Sequence, residues 1–331
     1  TDSAGNTVSC NFTVTVSDLI NPTITCPADV ALSTSINLCD TIVAGIAPLA
    51  TWDNCVIDSV NYVLSGVTTG SGLNDASGTT FNKGITTVTY MVTDSAGNTV
   101  SCNFTVTVSD VTNPTITCIA DIALSTSINS CDTIVTGIAP VAFADNCGVD
   151  SVSYVLTGAT IGNGLNDASG TTFNSGITTV TYMVTDSAGN TVSCNFNITV
   201  TDNEKPIITC PNNIMICDTI VTVPLPVFSD NCFVRLVTND FNLSNNASGI
   251  YPYGVTTVNW TVSDSSGNTN SCLMTIEVEI TPTSTAGDDQ VVIGLSNTKL
   301  NAAKVIVGVG SWVNVIGYGN VLDDSDPFST V

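Results

Sequence analysis

The chain has 331 residues, with 28 acidic side chains, five basic side chains and no histidine, for a formal net charge of −23. A surface this acidic repels nucleic acid and anionic membranes and attracts cations. The usual general base of hydrolases is absent, and no serine or cysteine lies in a nucleophile motif. We therefore expect no enzyme, no nucleic-acid partner and no membrane span.

The chain is built from an internal repeat. The segment TDSAGNTVSCNFTVTV starts at Thr1, returns unchanged at Thr93 and returns nearly unchanged at Thr185, so the period is 92 residues. An internal repeat of this size decides the architecture. We assign residues 1–16 to the C-terminal strand of a truncated repeat, followed by full repeats over 17–108 and 109–200 and a shorter repeat over 201–280.

Each repeat has the pattern of an all-β domain. Residues 85–93 and 101–108 alternate apolar and polar side chains, and a turn ending in Gly97-Asn98 lies between them, which predicts a hairpin. Val88, Tyr90 and Val92 are predicted to share one face of the first strand, opposite Met91. The inward face of the second strand is predicted to carry Cys102, Phe104, Val106 and Val108. About seven strands in 90 residues predict tandem immunoglobulin-like β-sandwich domains. The short, proline-containing linkers predict a rod-like array.

Thirteen cysteines recur in register, four per full repeat, which indicates disulfides and an oxidising compartment. Zinc is not expected, because there is no CxxC pair and no histidine. Four cysteines allow three pairings. Bonds of the type Cys10–Cys26 and Cys102–Cys118 would strand Cys272, whereas pairing within each repeat strands only Cys10. We therefore favour within-repeat bonds, namely Cys26–Cys102, Cys39–Cys55, Cys118–Cys194, Cys131–Cys147, Cys210–Cys272 and Cys217–Cys232.

Acidic and amide residues recur in three loops that share one pole of an immunoglobulin-like topology. Hard oxygen ligands in such number suit Ca²⁺, which would stiffen the joint with the preceding repeat. The alternative is that the same residues close Asx-turns without a metal. The candidate ligands are Asp18, Asn21, Asp53, Asn54, Asp94 and Asn98; Asp110, Asn113, Asp145, Asn146, Asp186 and Asn190; and Asp202, Glu204, Asp230, Asn231, Asp264 and Asn268.

The spaced motifs of each repeat resemble those of the hyalin repeat, or HYR domain. In the first full repeat they are PTITCP at 22–27, DNC at 53–55, the V-x-Y-x-V-x-D-x-x-G-N run at 88–98 and C-x-F-x-V at 102–106. The resemblance implies an extracellular adhesion module, as found in giant surface proteins of bacteria that use type IX secretion. Residues 281–331 resemble part of a further Ig/PKD-like module.

The sequence thus predicts a structural stalk or fibre segment of an extracellular adhesin on a bacterial cell surface. Expected partners are the neighbouring repeats and, through lateral pairing into a fibre, further copies of the chain; glycans on prey, host or other surfaces are further candidates. Two alternatives stay open: an adhesive module that binds a glycan or protein directly, and accessory repeats of a secreted hydrolase.

Overall fold

A computed structural model describes residues 1–280, so the predicted module at 281–331 lies outside the described residues. Every regular element in residues 1–280 is a β-strand, and none of these residues forms a helix that could cross a membrane. Two compact units are present. One comprises residues 1–124 and 134–200, and the other comprises 125–133 and the described residues from 201 onward. Residues 1–280 are therefore all-β, in agreement with the predicted fold class.

The first full repeat has nine strands, more than the seven or so predicted. They are β1 (Thr23–Thr25), β2 (Val30–Ser33), β3 (Asp40–Val43), β4 (Ala50–Trp52), β5 (Ile57–Gly66), β6 (Gly70–Leu73), β7 (Thr79–Asn82), β8 (Gly84–Asp94) and β9 (Thr99–Ser109). The main sheet has the order β2-β9-β8-β5-β6, with β2 parallel to β9 and the other pairs antiparallel. Two short antiparallel pairs, β1–β4 and β3–β7, form the other layer.

The second repeat has the same nine strands, each shifted by 92 residues. They are β10 (Thr115–Thr117), β11 (Ile122–Ser125), β12 (Asp132–Val135), β13 (Ala142–Ala144), β14 (Val149–Gly158), β15 (Gly162–Leu165), β16 (Thr171–Asn174), β17 (Gly176–Asp186) and β18 (Thr191–Thr201). Its main sheet has the order β11-β18-β17-β14-β15.

The third repeat is shorter. Its strands are β19 (Ile207–Thr209), β20 (Ile214–Ile216), β21 (Ile220–Val221), β22 (Val227–Ser229), β23 (Val234–Asn239), β24 (Gly249–Ile250), β25 (Gly254–Asp264) and β26 (Thr269–Val278). The main sheet, β20-β26-β25-β23, lacks the outer strand that β6 and β15 supply in the other two repeats. The loss agrees with the shortened sequence between β23 and β25.

The alternation of β8 and β9 produces the core of the first repeat. Val88, Tyr90 and Val92 are completely buried, while the intervening Met91 is exposed, which confirms that the three share one face and shows that this face is the inner one. Phe104 on β9 is buried with them, and Val43 and Phe81 from the opposite layer complete the cluster. Two layers packed over one apolar core define an immunoglobulin-like sandwich.

A tyrosine hydroxyl ties the core to a loop. The hydroxyl of Tyr90 donates a hydrogen bond to the carbonyl of Ile46 (2.8 Å) and accepts one from the backbone N–H of Ala76 (2.9 Å). Burial raises the pKa of this phenol. Because both hydrogen bonds lie in the interior, they hold the loops above the sheet in one conformation.

Candidate functional site

The hairpin loop between the last two long strands of each repeat is closed by an aspartate. In the second repeat Asp186 Oδ1 accepts hydrogen bonds from the backbone N–H groups of Ala188 (2.7 Å) and Asn190 (2.9 Å), and the Asn190 amide donates to Asp186 Oδ2 (2.7 Å). Burial acts to raise the pKa of Asp186, but the hydrogen bonds outweigh it and the pKa is lowered. The carboxylate is therefore held ionised.

The asparagine of this loop fastens the linker that enters the repeat. The Nδ2 group of Asn190 donates to the carbonyls of Asp110 (3.3 Å) and Thr112 (3.2 Å). Asn98 does the same with Asp18 and Ile20, and Asn268 donates to Asp202 (3.0 Å). These amides, which the sequence suggested as metal ligands, thus serve as donors that place the linker carboxylate next to the hairpin loop.

The linker aspartate has one oxygen engaged and one without a partner. Asp110 Oδ1 accepts a hydrogen bond from the backbone N–H of Thr112 (3.1 Å), and Asp202 Oδ1 accepts one from that of Glu204 (3.0 Å). The Oδ2 atoms of both aspartates are buried without a hydrogen-bond partner. A buried, unpartnered carboxylate oxygen is costly unless a cation or water meets it.

The third component is the turn that follows the short strands β4, β13 and β22. In it the carboxylate of Asp145 accepts a hydrogen bond from the N–H of Cys147 (2.7 Å) through Oδ2, and Asp230 accepts one from Cys232 (2.9 Å). The Oδ1 atoms of both aspartates are buried and unpartnered, as is Asn146 Oδ1. These turns match the Asx-turn alternative, yet they leave one oxygen of each carboxylate unused.

The three components meet at each joint between repeats. Ligand atoms of Asp110, Asp145 and Asp186 lie within 4.8 Å of one another, and so do those of Asp202, Asp230 and Asp264. At an effective dielectric constant of about 20, two like charges about 5 Å apart repel by about 3 kcal/mol. We call these groups the Asp110 cluster and the Asp202 cluster.

The corresponding residues at the start of the first full repeat form a weaker group. Asp18 and Asp53 lie together with the thiol of Cys55, but Asp94 does not join them. Asp18 is half-buried, and both of its oxygens accept hydrogen bonds, from Ile20 N–H (3.0 Å) and Asn54 Nδ2 (3.2 Å). The hydrogen bond to Asp18 is the main cause that raises the pKa of the Cys55 thiol, which disfavours the reactive thiolate.

Each cluster is buried because a loop of the preceding repeat covers it. Asn146 Nδ2 donates to the carbonyl of Leu38 (2.9 Å), and Asn231 Nδ2 donates to that of Ser130 (2.9 Å). The exposed fraction is 6% for Asp110 and 1% for Asp202. Asn113 and Asn21, in contrast, are exposed on the linkers and form no side-chain hydrogen bond to the acidic groups.

The same loops carry the second set of disulfides, and here the sequence prediction is wrong. Bonds within each repeat join Cys26 to Cys102, Cys118 to Cys194 and Cys210 to Cys272, as predicted. Cys39, however, bonds to Cys147 of the next repeat rather than to Cys55, and Cys131 bonds to Cys232 rather than to Cys147.

The correction has a geometric reason. The loop before β3 reaches the turn after β13, which brings the α-carbons of Cys39 and Cys147 to 4.7 Å; those of Cys131 and Cys232 are 4.5 Å apart. Such separations suit a disulfide. The predicted Cys217–Cys232 bond is also absent, and Cys10, Cys55 and Cys217 are exposed thiols. Because the cysteines recur with the repeat, the second cysteine of one repeat can bond to the third cysteine of the next as readily as to that of its own repeat. The periodic spacing was thus the signal that could have suggested the bonds between repeats.

Lys83 distinguishes the Asp110 cluster from the Asp202 cluster, and nothing in the motifs identified it. Its Nζ donates a hydrogen bond to Ser187 Oγ (2.6 Å) and lies 4.0 Å from Asp110 Oδ2. This is the one ion pair formed among residues 1–280. The residue 92 positions later is Ser175, so the second repeat supplies no equivalent charge.

These features define a class: tandem, disulfide-stapled, immunoglobulin-like β-sandwiches of extracellular type, with further disulfides between neighbours. The family model of the HYR domain matches residues 17–108, 109–200 and 201–278. The chain belongs to the HYR domain family. The matched ranges follow the period identified in the sequence.

Comparison with known proteins finds similar curated relatives and weaker alignments with solved structures. The chain is 28% identical to hyalin of Strongylocentrotus purpuratus over 287 residues and 29% identical to hyalin of Lytechinus variegatus over 298 residues. The alignments cover 84% and 85% of this chain but only 22% and 52% of those proteins. Drosophila N-cadherin EC1-4 aligns over 78% of this chain and 75% of its own, at 14% identity and a TM-score of 0.28. Titin I67-I69 aligns over 79% and 100%, at 11% identity and a TM-score of 0.31.

Proposed function

We propose that this chain is a structural segment of an extracellular adhesive protein, in which successive repeats are joined twice by covalent bonds. The observation that supports this most directly is the pair of disulfides between repeats, Cys39–Cys147 and Cys131–Cys232. At the joints before the second and third repeats a disulfide runs beside the peptide linker. A repeat so linked resists twisting, and it stays attached if the linker is cut.

The bonds within each repeat support the same role. Cys26–Cys102 and Cys118–Cys194 each close 76 residues, so most of the repeat cannot be drawn out under tension while its disulfide is intact. A closed loop of this size contributes about 4 kcal/mol in the chain-entropy model. This design suits a spacer that carries load, and it requires no catalytic group.

The finer setting is also a proposal. We propose a stalk or fibre of a cell-surface adhesin, with a bacterial surface supplied by type IX secretion as the context that the sequence resemblance suggests. The relatives named above are animal proteins, and this chain spans only part of each. Lateral pairing with further copies and contact with surface glycans belong to the same proposal.

Removal of one whole period from the native protein tests the spacer role. Deletion of residues 109–200 places the third repeat directly after the first. Cys39 can then bond to Cys232, which occupies in the third repeat the position that Cys147 occupies in the second. We expect a shorter surface structure, seen by electron microscopy, with attachment retained. Loss of attachment at normal stability would instead support the alternative of a ligand-binding module. Loss of a hydrolytic activity would support accessory repeats.

A protease site inserted between Val111 and Thr112 tests the double connection. After cleavage we expect the two halves to stay together in a non-reducing gel and to separate when a thiol is added. The same site in a Cys147→Ser chain is the control, and its halves should separate without reductant. Separation of the cleaved wild-type halves without reductant would contradict the bond between repeats.

A further inference from the structure

The Asp110 and Asp202 clusters contain more buried oxygen atoms than the protein can satisfy. At the first, Asp110 Oδ2, Asp145 Oδ1 and Asn146 Oδ1 have no hydrogen-bond partner. At the second, the same is true of Asp202 Oδ2 and Asp230 Oδ1. In both clusters backbone N–H groups occupy the other oxygen of each of these aspartates and fix its orientation. The unused oxygens are therefore held in place by the local backbone.

The burial of these groups distinguishes them from ordinary acidic surface loops. Asp110, Asp186, Asp202 and Asp264 are each at least nine-tenths buried, and the side chain of Asp110 is fully buried. Three carboxylates within 4.8 Å carry a formal charge of −3. Buried charge at this density calls for a compensating cation.

We propose that each cluster binds one Ca²⁺ ion. Calcium takes six to eight oxygen ligands at 2.3–2.6 Å in flexible geometry, so two ligands of the same ion can lie up to about 5 Å apart. Three carboxylates, the Asn146 carbonyl at the first site and water molecules provide such a set. Mg²⁺ requires a near-ideal octahedron at 2.0–2.1 Å and fits the spread of these oxygens less well.

The two sites differ in affinity because of Lys83. Its ammonium group lies 4.0 Å from the unpartnered Oδ2 of Asp110, so it already compensates part of the charge there and repels an incoming cation. No lysine or arginine among residues 1–280 lies within 4.0 Å of an Asp202 oxygen. The Asp202 cluster is therefore the tighter site, and the Asp110 cluster is the weaker one.

The proposed ion and the disulfide share one element of each joint, the turn that carries Asp230 and Cys232 at the second joint. At the Asp202 cluster the covering loop belongs to the preceding repeat and includes Ser130 and Cys131, and the Asp230 turn includes Cys232. An ion held by Asp202, Asp230 and Asp264 fixes the linker, the turn and the hairpin loop together. The proposal does not rest on the spacer role and stands or falls separately.

Calorimetric titration of Ca²⁺ into the oxidised 331-residue chain at physiological ionic strength tests the proposal. We expect two saturable binding events. Asp202→Asn should abolish the tighter event and Asp110→Asn the weaker one, because each keeps the side-chain shape and removes a ligand charge. The matched control Asp150→Asn removes an exposed charge outside both clusters and should leave both events unchanged.

The Lys83→Ser variant is expected to increase the calcium affinity of the Asp110 cluster. It leaves every ligand in place and should tighten the weaker event roughly five-fold, because solvent screening of the partly exposed Lys83 ammonium group limits its effect to about that size. A misfolded variant would not produce that gain. Retention of the five disulfides, checked by peptide mapping, controls for folding in all variants.

Three results would overturn the inference. Absence of saturable binding removes both sites, and wild-type binding by both asparagine variants places calcium elsewhere in the chain. Equal competition by Mg²⁺ removes the assignment to calcium. An unchanged weaker event in Lys83→Ser would refute the proposed difference between the sites while leaving the sites themselves.

Discussion

The Asp110 and Asp202 clusters have aspartates at equivalent positions of the same three loops, yet their buried negative charge is compensated differently. At the first, Lys83 supplies a cation from within the chain. At the second, no basic group among the described residues forms an ion pair with an aspartate of the cluster. The linker there also contains an additional acid, Glu204, whose Oε2 accepts a hydrogen bond from Asn129 N–H (2.8 Å). One basic residue in a periodic sequence can therefore change the properties of a single joint.

The disulfides at the two joints give the largest expected effect. Cys39→Ser with Cys147→Ser opens a loop with a sequence separation of 108, and Cys131→Ser with Cys232→Ser opens one of 101. The chain-entropy model gives about 4–5 kcal/mol for either. We expect similar losses of free energy of unfolding in denaturant titrations. Cys55→Ser is the control and should not change the free energy of unfolding. A large loss of stability in this variant, together with a Cys39–Cys55 bond found by peptide mapping of the wild-type chain, would support the within-repeat pairing instead.

The asparagines that fasten the linker should reveal a smaller difference between the joints. The Asn190 side chain donates hydrogen bonds to two linker carbonyls. The Asn268 side chain donates to only one linker carbonyl, that of Asp202. A net hydrogen bond contributes about 1 kcal/mol, and a buried carbonyl left without a donor costs more. We expect Asn190→Ala to lower the free energy of unfolding by about 2 kcal/mol and Asn268→Ala by about 1 kcal/mol. Equal losses would contradict the role given to the second hydrogen bond.

Lys83→Ser in the presence of a chelator makes the first joint resemble the second. Without added cation the variant loses its ion pair with Asp110 and its hydrogen bond to Ser187. Because Lys83 is partly exposed, we expect a loss of no more than about 1 kcal/mol. The melting temperature should fall slightly in chelator and recover when Ca²⁺ is added. A variant that is more stable than wild type in chelator would show that Lys83 does not compensate the cluster.

The hairpin loop of the first repeat isolates the contribution of the loop itself, since Asp94 does not join an acidic cluster. Burial acts to raise the pKa of Asp94, but hydrogen bonds from Asn98, Ala96 and Gly97 lower it below its ordinary value of 3.8. Its stabilising contribution is therefore complete above about pH 4 and is lost as the pH falls through the lowered pKa. Melting curves from pH 5 to pH 2 should show a smaller acid-dependent decrease for Asp94→Asn than for wild type.

How far the sequence predicts the fold depends on how local each feature is. The β8–β9 hairpin was predictable from residues 85–108 alone, because its alternation and its turn lie in one continuous segment. The number of strands was underestimated because short strands such as β2 and β4 are mostly exposed and lack the apolar–polar alternation of β8 and β9. Asp53, Asp145 and Asp230 were predicted as cation ligands from the same kind of local signal, a short acidic turn.

The features that sequence reasoning missed depend on distant parts of the chain. The partner of Cys39 lies 108 residues away and is selected by the loop that covers the next repeat. The amides of Asn98 and Asn190 were expected to present oxygen to a metal, but linker carbonyls take their N–H groups. An asparagine offers either a donor or an acceptor, and only its surroundings decide which is used.

The sequence by itself determined the period, the sandwich and the acidic loops, because alternation, turn residues and spacing act over short range. The tertiary structure decided which cysteine of the neighbouring repeat is bonded, which carboxylate oxygens stay without a partner and where the single lysine of the first repeat lies. Those properties depend on how a loop of one repeat packs on the next, and identical loop sequences can have different neighbours.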